Sequence, residues 1–189
     1  MISHKHNYIF IHIPKTAGTS IKKHLNSLRS KTDYKSPEDP LENFGHHKLS
    51  YYECKYKNIK QFYKFCFLRN PYSRMVSLYK YAKRWTEFDS SFLEFCEFLN
   101  IGKKFTNNIV WEEHYEPQSN YISDQINFIG NVDSINSDFK HICNHLNIPH
   151  KELVHCNKSN NESIRICERS SKIIEEIYEN DFEFYERKN

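Results

Sequence analysis

The chain has 189 residues, enough to bury a core without disulfide or metal staples. Its formal charge of +3 and pI near 8.4 suit an anionic ligand but fall far short of the basic surface that nucleic-acid binding demands. Four glycines against 13 tyrosines and 14 phenylalanines exclude a disordered linker, and no apolar run is long enough to span a membrane.

The first predicted element is a buried strand over 8–13, where Tyr8, Ile9, Phe10, Ile11 and Ile13 form a short β-favouring run. Pro14 ends it, Gly18 relaxes the backbone, and Thr19 and Ser20 stand where a helix through Ile21, Leu25 and Leu28 begins. A strand, a tight loop and a helix N-terminus converge backbone N–H groups on one point and suit an anionic phosphate. The Lys15 ammonium and the hydroxyls of Thr16, Thr19 and Ser20 complete such a site. In the common nucleotide loop GxxxxGK[ST] the lysine follows the glycine; here Lys15 precedes Gly18 by three positions, at the loop's entrance. Taken alone, the motif reads equally well as a helix cap with a solvated lysine.

No apolar leader precedes the first strand, so a cytoplasmic protein is expected. Cys54, Cys66, Cys96, Cys143, Cys156 and Cys167 lack ligand spacing and are expected to be reduced, mostly core thiols, with no metal site. A polar segment over 30–43 predicts a surface loop leading to Gly45, His46 and His47. Residues 62–68 predict a second buried strand, and Arg69-Asn70-Pro71 turns the chain into a helix. Met75, Leu78, Tyr79 and Ala82 form that helix's apolar face, with Ser77 off the stripe. A helix over 89–99 turns Phe92, Phe95, Cys96 and Leu99 inward, capped by Asp89, Ser90 or Ser91. The segment 102–108, with Lys103 and Lys104, predicts a polar loop, and Pro117 interrupts any long helix over 110–122. A strand over 127–130, a helix over 133–146 stopped by Ile148-Pro149, and a short strand over 154–156 follow. The chain closes on a helix buried through Ile173, Ile174, Ile177 and Tyr178. Strands alternating with helices predict one α/β domain with a mainly parallel sheet.

With both strand-to-helix turns in hand, the sequence resembles the sulfotransferases that use 3′-phosphoadenosine 5′-phosphosulfate (PAPS). It looks closest to the carbohydrate branch that includes heparan sulfate 2-O-sulfotransferase and small bacterial relatives. IFIHIPKTAGTSI resembles that family's 5′-phosphosulfate loop. FLRNPYSRMVSLY resembles its 3′-phosphate segment, an arginine followed eight residues later by a serine, here Arg69 and Ser77. INFIGNVDSINSDFKHICNHLNI and IYENDFEFY resemble the later strand and helix and the closing helix. The likeness implies a P-loop-type three-layer α/β fold, a central mainly parallel sheet flanked by helices, as a single sulfotransferase domain over 1–189.

It also implies roles. Thr16, Ala17, Gly18, Thr19 and Ser20 hold the 5′-phosphate, Lys15 reaches the oxygen bridging phosphate and sulfate, and Arg69 with Ser77 takes the 3′-phosphate. Lys158 and Ser159 lie where the family has a loop closing over the nucleotide. The product is adenosine 3′,5′-bisphosphate, and the partner is a carbohydrate acceptor rather than a nucleic acid. The acceptor hydroxyl needs a base, and Gly45-His46 resembles the Gly-His pair of the 2-O-sulfotransferase pattern. Phe44 replaces that pattern's preceding histidine and His47 follows instead, so His46 and His47 are both candidates. Other branches use a glutamate, which keeps Glu112 and Glu113 open. HYEPQ resembles a His-x-x-Pro-Gln stretch, so Trp111, His114 and Gln118, with Tyr115, are expected to shape the acceptor cleft. Two other readings are a non-catalytic nucleotide- or glycan-binding module of the same fold and an ATP-dependent P-loop kinase. The kinase is disfavoured by the missing GK[ST] and by the lack of a strand-ending Asp for magnesium.

Overall fold

Tyr63–Leu68 is apolar or aromatic at nearly every position and is buried at all but the first, as a central parallel strand covered on both faces must be. In the computed structural model, which describes residues 1–28, 45–85, 88–102, 109–153 and 163–186 (main chain alone at 109–111), this strand lies inside a four-stranded sheet. The strands are β1 (Ile2–Ser3), β2 (Tyr8–Phe10), β3 (Tyr63–Leu68) and β4 (Phe128–Asn131), in the order β1-β2-β3-β4. β2 pairs parallel with β3 through Tyr8↔Tyr63 and Phe10↔Phe65, and β3 with β4 through Phe65↔Phe128 and Leu68↔Asn131. β1 pairs antiparallel with β2 and is absent from the sequence reading, because two residues carry no periodicity.

The chain belongs to the α/β class, and its helices are α1 (Gly18–Ser27), α2 (Leu49–Lys55), α3 (Pro71–Trp85), α4 (Phe92–Asn100), α5 (Ile109–Tyr115), α6 (Ile135–His145), α7 (Glu168–Ile177) and α8 (Glu179–Glu186), with a 3-10 turn at Gln118–Tyr121. Within the span expected as one domain, contacts gather the residues into two compact units, Met1–Leu68 with Tyr121–Cys156 and Arg69–Asn120 with Asn157–Asn189. In the first, one face of the sheet presents Tyr8, Phe10, Phe65 and Phe67 to Ile21 and Leu25 of α1 and to Phe139, Ile142 and Cys143 of α6. In the second, Met75, Leu78, Tyr79 and Ala82 of α3 meet Phe92, Phe95 and Cys96 of α4 and Ile173, Ile174 and Tyr178.

Three expectations change. The first helix ends at Ser27 with Leu28 as its C-cap, so Leu28 is not a helical residue. The single closing helix is two, because Tyr178 leaves helical geometry (φ −120°, ψ 30°) while its hydroxyl donates to the Tyr115 carbonyl at 2.8 Å. The seven-residue α2, with only Leu49 and Tyr52 buried, is an element the sequence reading lacks. Ser91 is the cap of α4, its hydroxyl accepting from Glu94 N–H at 3.3 Å while Glu94 accepts from Ser91 N–H at 2.8 Å. Cys66, Cys96 and Cys143 are buried free thiols, and burial pushes Cys96 up to about 12 and Cys143 up to about 11. Cys54 is exposed and Cys167 half-buried, both free, so two described thiols lie outside the expected core. The expected loop at 30–43, all but Gly102 of the loop expected at 102–108, the strand at 154–156, and Cys156 lie outside the described residues. Among the described residues no helix is long and apolar enough to cross a membrane.

Candidate functional site: an anion-binding loop and its flanking histidines

β2 runs out at Phe10, although Ile11 still donates to the Phe65 carbonyl at 2.9 Å, and Pro14 then bars further pairing. Lys15 (φ 68°) and Ala17 (φ 60°) are left-handed on either side of Thr16. Alternating hand is the geometry that turns successive N–H groups towards one side. It is held here without glycine, at about 1 kcal/mol or more for each residue. Ala17 is the N-cap of α1, and its carbonyl accepts from Ser20 N–H at 3.0 Å. Gly18 and Thr19, the first helical residues, have no carbonyl of their own helix to reach, and no other acceptor meets their N–H groups among the described residues. No carboxylate occurs from Ile11 to Ser27, and Lys15 and the α1 dipole add positive potential. The hydroxyl of fully buried Thr16 donates inward to the Ile13 carbonyl at 2.9 Å, so it ties the loop to the strand end, while Thr19 is exposed and Ser20 half-buried.

Gly18 is required by what lies against it. A Cβ there would stand 1.8 Å from Cδ2 of the His12 ring. The His12 ring also meets His46, with ring centroids 4.3 Å apart, and His46 Nδ1 lies 2.9 Å from the His12 carbonyl. A carbonyl oxygen only accepts, so Nδ1 carries the proton and Nε2 holds the lone pair of the neutral ring. His47 is built differently. Its ring lies flat on Tyr51 at 3.8 Å, over Gly45, where a Cβ would stand 2.3 Å from Nε2. Burial first, then the positive N-terminus and Lys55, push its pKa below the ordinary histidine value.

In the second unit, Asn70 caps α3, its side-chain oxygen accepting from Tyr72 and Ser73 N–H at 3.0 and 3.3 Å, and Pro71 takes the first helical position. Arg69 Nε donates to Ser73 Oγ at 3.1 Å. Ser77 is half-buried one turn beyond Ser73, on the same side of α3. The Arg69 peptide is gripped at both ends by one side chain: its N–H donates to Gln118 Oε1 and its carbonyl accepts from Gln118 Nε2, each at 2.9 Å. Gln118 is fully buried, and its amide is engaged by this pair of hydrogen bonds to Arg69 rather than turned out to a sugar hydroxyl. The His114 ring is buried and stacked on Tyr81 at 5.1 Å. Glu112 and Glu113 are half-buried on α5. The Trp111 side chain, Lys158 and Ser159 lie outside the described residues.

The sequence reading does not contain Arg74 and Asp181. Both are buried, 3.7 Å apart, on α3 and α8. The carboxylate accepts from the N–H groups of Gln118 and Ser119 at 2.8 Å each, and Arg74 donates to the carbonyls of Glu116 (2.7 Å) and His114 (3.2 Å). The signal was available, since each residue lies on its helix's apolar stripe, where an unpaired charge is not tolerated. A groove of about 1050 Å³ along α4 and α7 is lined by Glu97, Ile101, Cys167 and Lys172 and by none of the site residues.

The profile of the sulfotransferase family matches residues 1–187. An uncharacterized protein of Archaeoglobus fulgidus is 29% identical over 102 residues, which are 53% of this chain and 81% of that protein. No solved structure matches.

Proposed function

We propose, for a chain that belongs to the sulfotransferase family, that it moves a sulfuryl group from PAPS to a hydroxyl of a carbohydrate. The observation that supports this most is the loop before α1, where left-handed Lys15 and Ala17 precede the N–H groups of Gly18 and Thr19 in a segment that itself carries no carboxylate. These residues fit the donor's 5′ end, with Lys15 at the bridging oxygen and Ser20 and Thr19 adding hydroxyls. Arg69, whose guanidinium donates to Ser73 Oγ, fits its 3′-phosphate, with Ser77 one turn further along α3. The donor supplies a sulfuryl group joined to phosphate through one oxygen; transfer forms one sulfur–oxygen bond to the acceptor, breaks one to the phosphate and frees the hydroxyl proton. The protein meets each change. His46 Nε2, the acceptor nitrogen of its tautomer, takes the proton, and the Lys15 ammonium opposes the charge that grows on the departing phosphate. His47, whose ring lies flat on Tyr51, is the alternative base. The carbohydrate assignment rests on the Gly45-His46 and HYEPQ resemblances, with Gln118 acting through Arg69 and not on the sugar.

The test is incubation with sulfur-labelled PAPS and a panel of cell-surface glycans. Label moves to a glycan, and Lys15→Ala lowers the rate by about 10²-fold or more, the size of a lost transition-state charge contact. A Lys15→Ala rate equal to that of the parent contradicts the lysine's role, and magnesium-dependent phosphoryl transfer from ATP in place of sulfuryl transfer contradicts the reaction.

A further inference from the structure

The hydrogen bonds around 114–119 converge on one peptide. Gln118 holds the N–H and the carbonyl of Arg69, and Asp181 in turn holds Gln118, one carboxylate oxygen accepting from its N–H and the other from that of Ser119. The neighbouring carbonyls of His114 and Glu116 are taken by Arg74, and that of Tyr115 by the Tyr178 hydroxyl. The guanidinium of Arg74 sits 5.4 Å from the Tyr178 ring centroid. Gln118, Asp181 and Arg74 are all at most 2% exposed. Breaking any one bond strands a polar group away from water, so the set holds together or fails together. Arg69 itself is only half-buried, with its Nε turned to Ser73. The dense buried polar work therefore fixes the backbone of a residue whose side chain reaches the surface.

We infer that Gln118, anchored by Asp181 of α8, is a positioning residue that sets the Arg69 guanidinium for the nucleotide 3′-phosphate. This rests on the reading of Arg69 given above. A bidentate fork rewards placement within a few tenths of an ångström, and misplacement by about 1 Å costs on the order of 10²-fold. The closing helix thus takes part in choosing a 3′-phosphorylated nucleotide without touching it.

The readout is calorimetric binding of adenosine 3′,5′-bisphosphate against adenosine 5′-monophosphate, whose affinity ratio isolates the 3′-phosphate. Gln118→Met, which keeps the volume and loses both hydrogen bonds, lowers that ratio at least about 10-fold with little change for the monophosphate. Adding it to Arg69→Ala lowers the ratio no further. Gln118→Glu keeps the acceptor for Arg69 N–H but meets the Arg69 carbonyl with an oxygen. Its ratio is low at neutral pH and climbs back towards the parent's at the same pH as acid protonates the carboxyl and restores a donor. That recovery reads the hydrogen bond itself, even if Gln118→Met does not fold. If Arg69→Ala loses the ratio while the Gln118 variants keep it at every pH, the inference is overturned and the reading of Arg69 stands. If Arg69→Ala keeps the ratio, the reading of Arg69 falls first.

Discussion

Lys15 and Ala17 hold left-handed φ without being glycine, Gly18 gives up its side chain to the His12 ring, and that ring also meets His46. A methyl group on Gly18 therefore reaches the proposed base through His12. Gly18→Ala forces the ring to move, since 1.8 Å is far inside contact distance, and turnover drops about 10²-fold in steady-state kinetics. His46→Ala lowers kcat by about 10² to 10⁴-fold while calorimetry finds adenosine 3′,5′-bisphosphate binding unchanged, and His47→Ala does far less. A larger loss of kcat from His47→Ala would exchange the two roles. At this scale the candidate residues were legible as candidates, because Lys15, Gly18, Arg69 and His46 stand in motifs. Their surroundings were not. Nothing in the order of letters says that Ala17 rather than Gly18 takes the left-handed turn, that Thr16 points inward, or that Gln118 spends its amide on a peptide 49 residues away.

Elements were legible in proportion to their length and periodicity. β3, α3, α4 and α6 come out within a few residues, because their apolar spacing repeats over several turns or pleats. The two-residue β1 and seven-residue α2 offer too few positions, and the break between α7 and α8 is imposed by the tertiary partners of Tyr178. Arg74 and Asp181 are the informative case, since each occupies a buried position on an otherwise apolar stripe and each accounts for the other. Removing one leaves an uncompensated buried charge. Asp181→Ala lowers the free energy of unfolding by roughly 3–5 kcal/mol in urea titration, and adding Arg74→Met removes the uncompensated charge and restores part of the loss, the backbone groups that both side chains met remaining unpaired. A double variant no better than Asp181→Ala alone would mean that the carboxylate acts only through the Gln118 and Ser119 N–H groups. Ser91→Ala, which removes the hydroxyl half of α4's capping box, costs about 1 kcal/mol in the same titration.

Across the molecule, the α/β class and the parallel core of the sheet were legible from alternating strands and helices, whereas the grouping of residues into two compact units was not. Two histidines give the fold a pH response. His24 is buried beside Phe139 with Nε2 2.9 Å from the Pro149 carbonyl; burial, followed by the charges of His150 and Lys151, holds its pKa below 6.5 despite that hydrogen bond. His47 is lowered in the same direction by its own burial. The unfolded chain takes up these protons near pH 6.5 and the folded chain only at lower pH. The stability they contribute is complete above about 6.5 and is lost as pH falls through the window beneath it. Thermal melts between pH 7.5 and 5.5 fall with acidification, and His24→Gln, which keeps a donor for Pro149, flattens part of the fall. An equally steep fall in His24→Gln would remove that residue from the account.

The central claim is that one adenosine donor is held by its 5′ end on the loop before α1 and by its 3′-phosphate on Arg69, and a crystal structure with adenosine 3′,5′-bisphosphate tests it most directly. The account predicts the 5′-phosphate on the N–H groups of Gly18 and Thr19 beside Lys15, and the 3′-phosphate within hydrogen-bond reach of the Arg69 guanidinium. A nucleotide lodged elsewhere, or one whose 3′-phosphate lies away from Arg69, contradicts it.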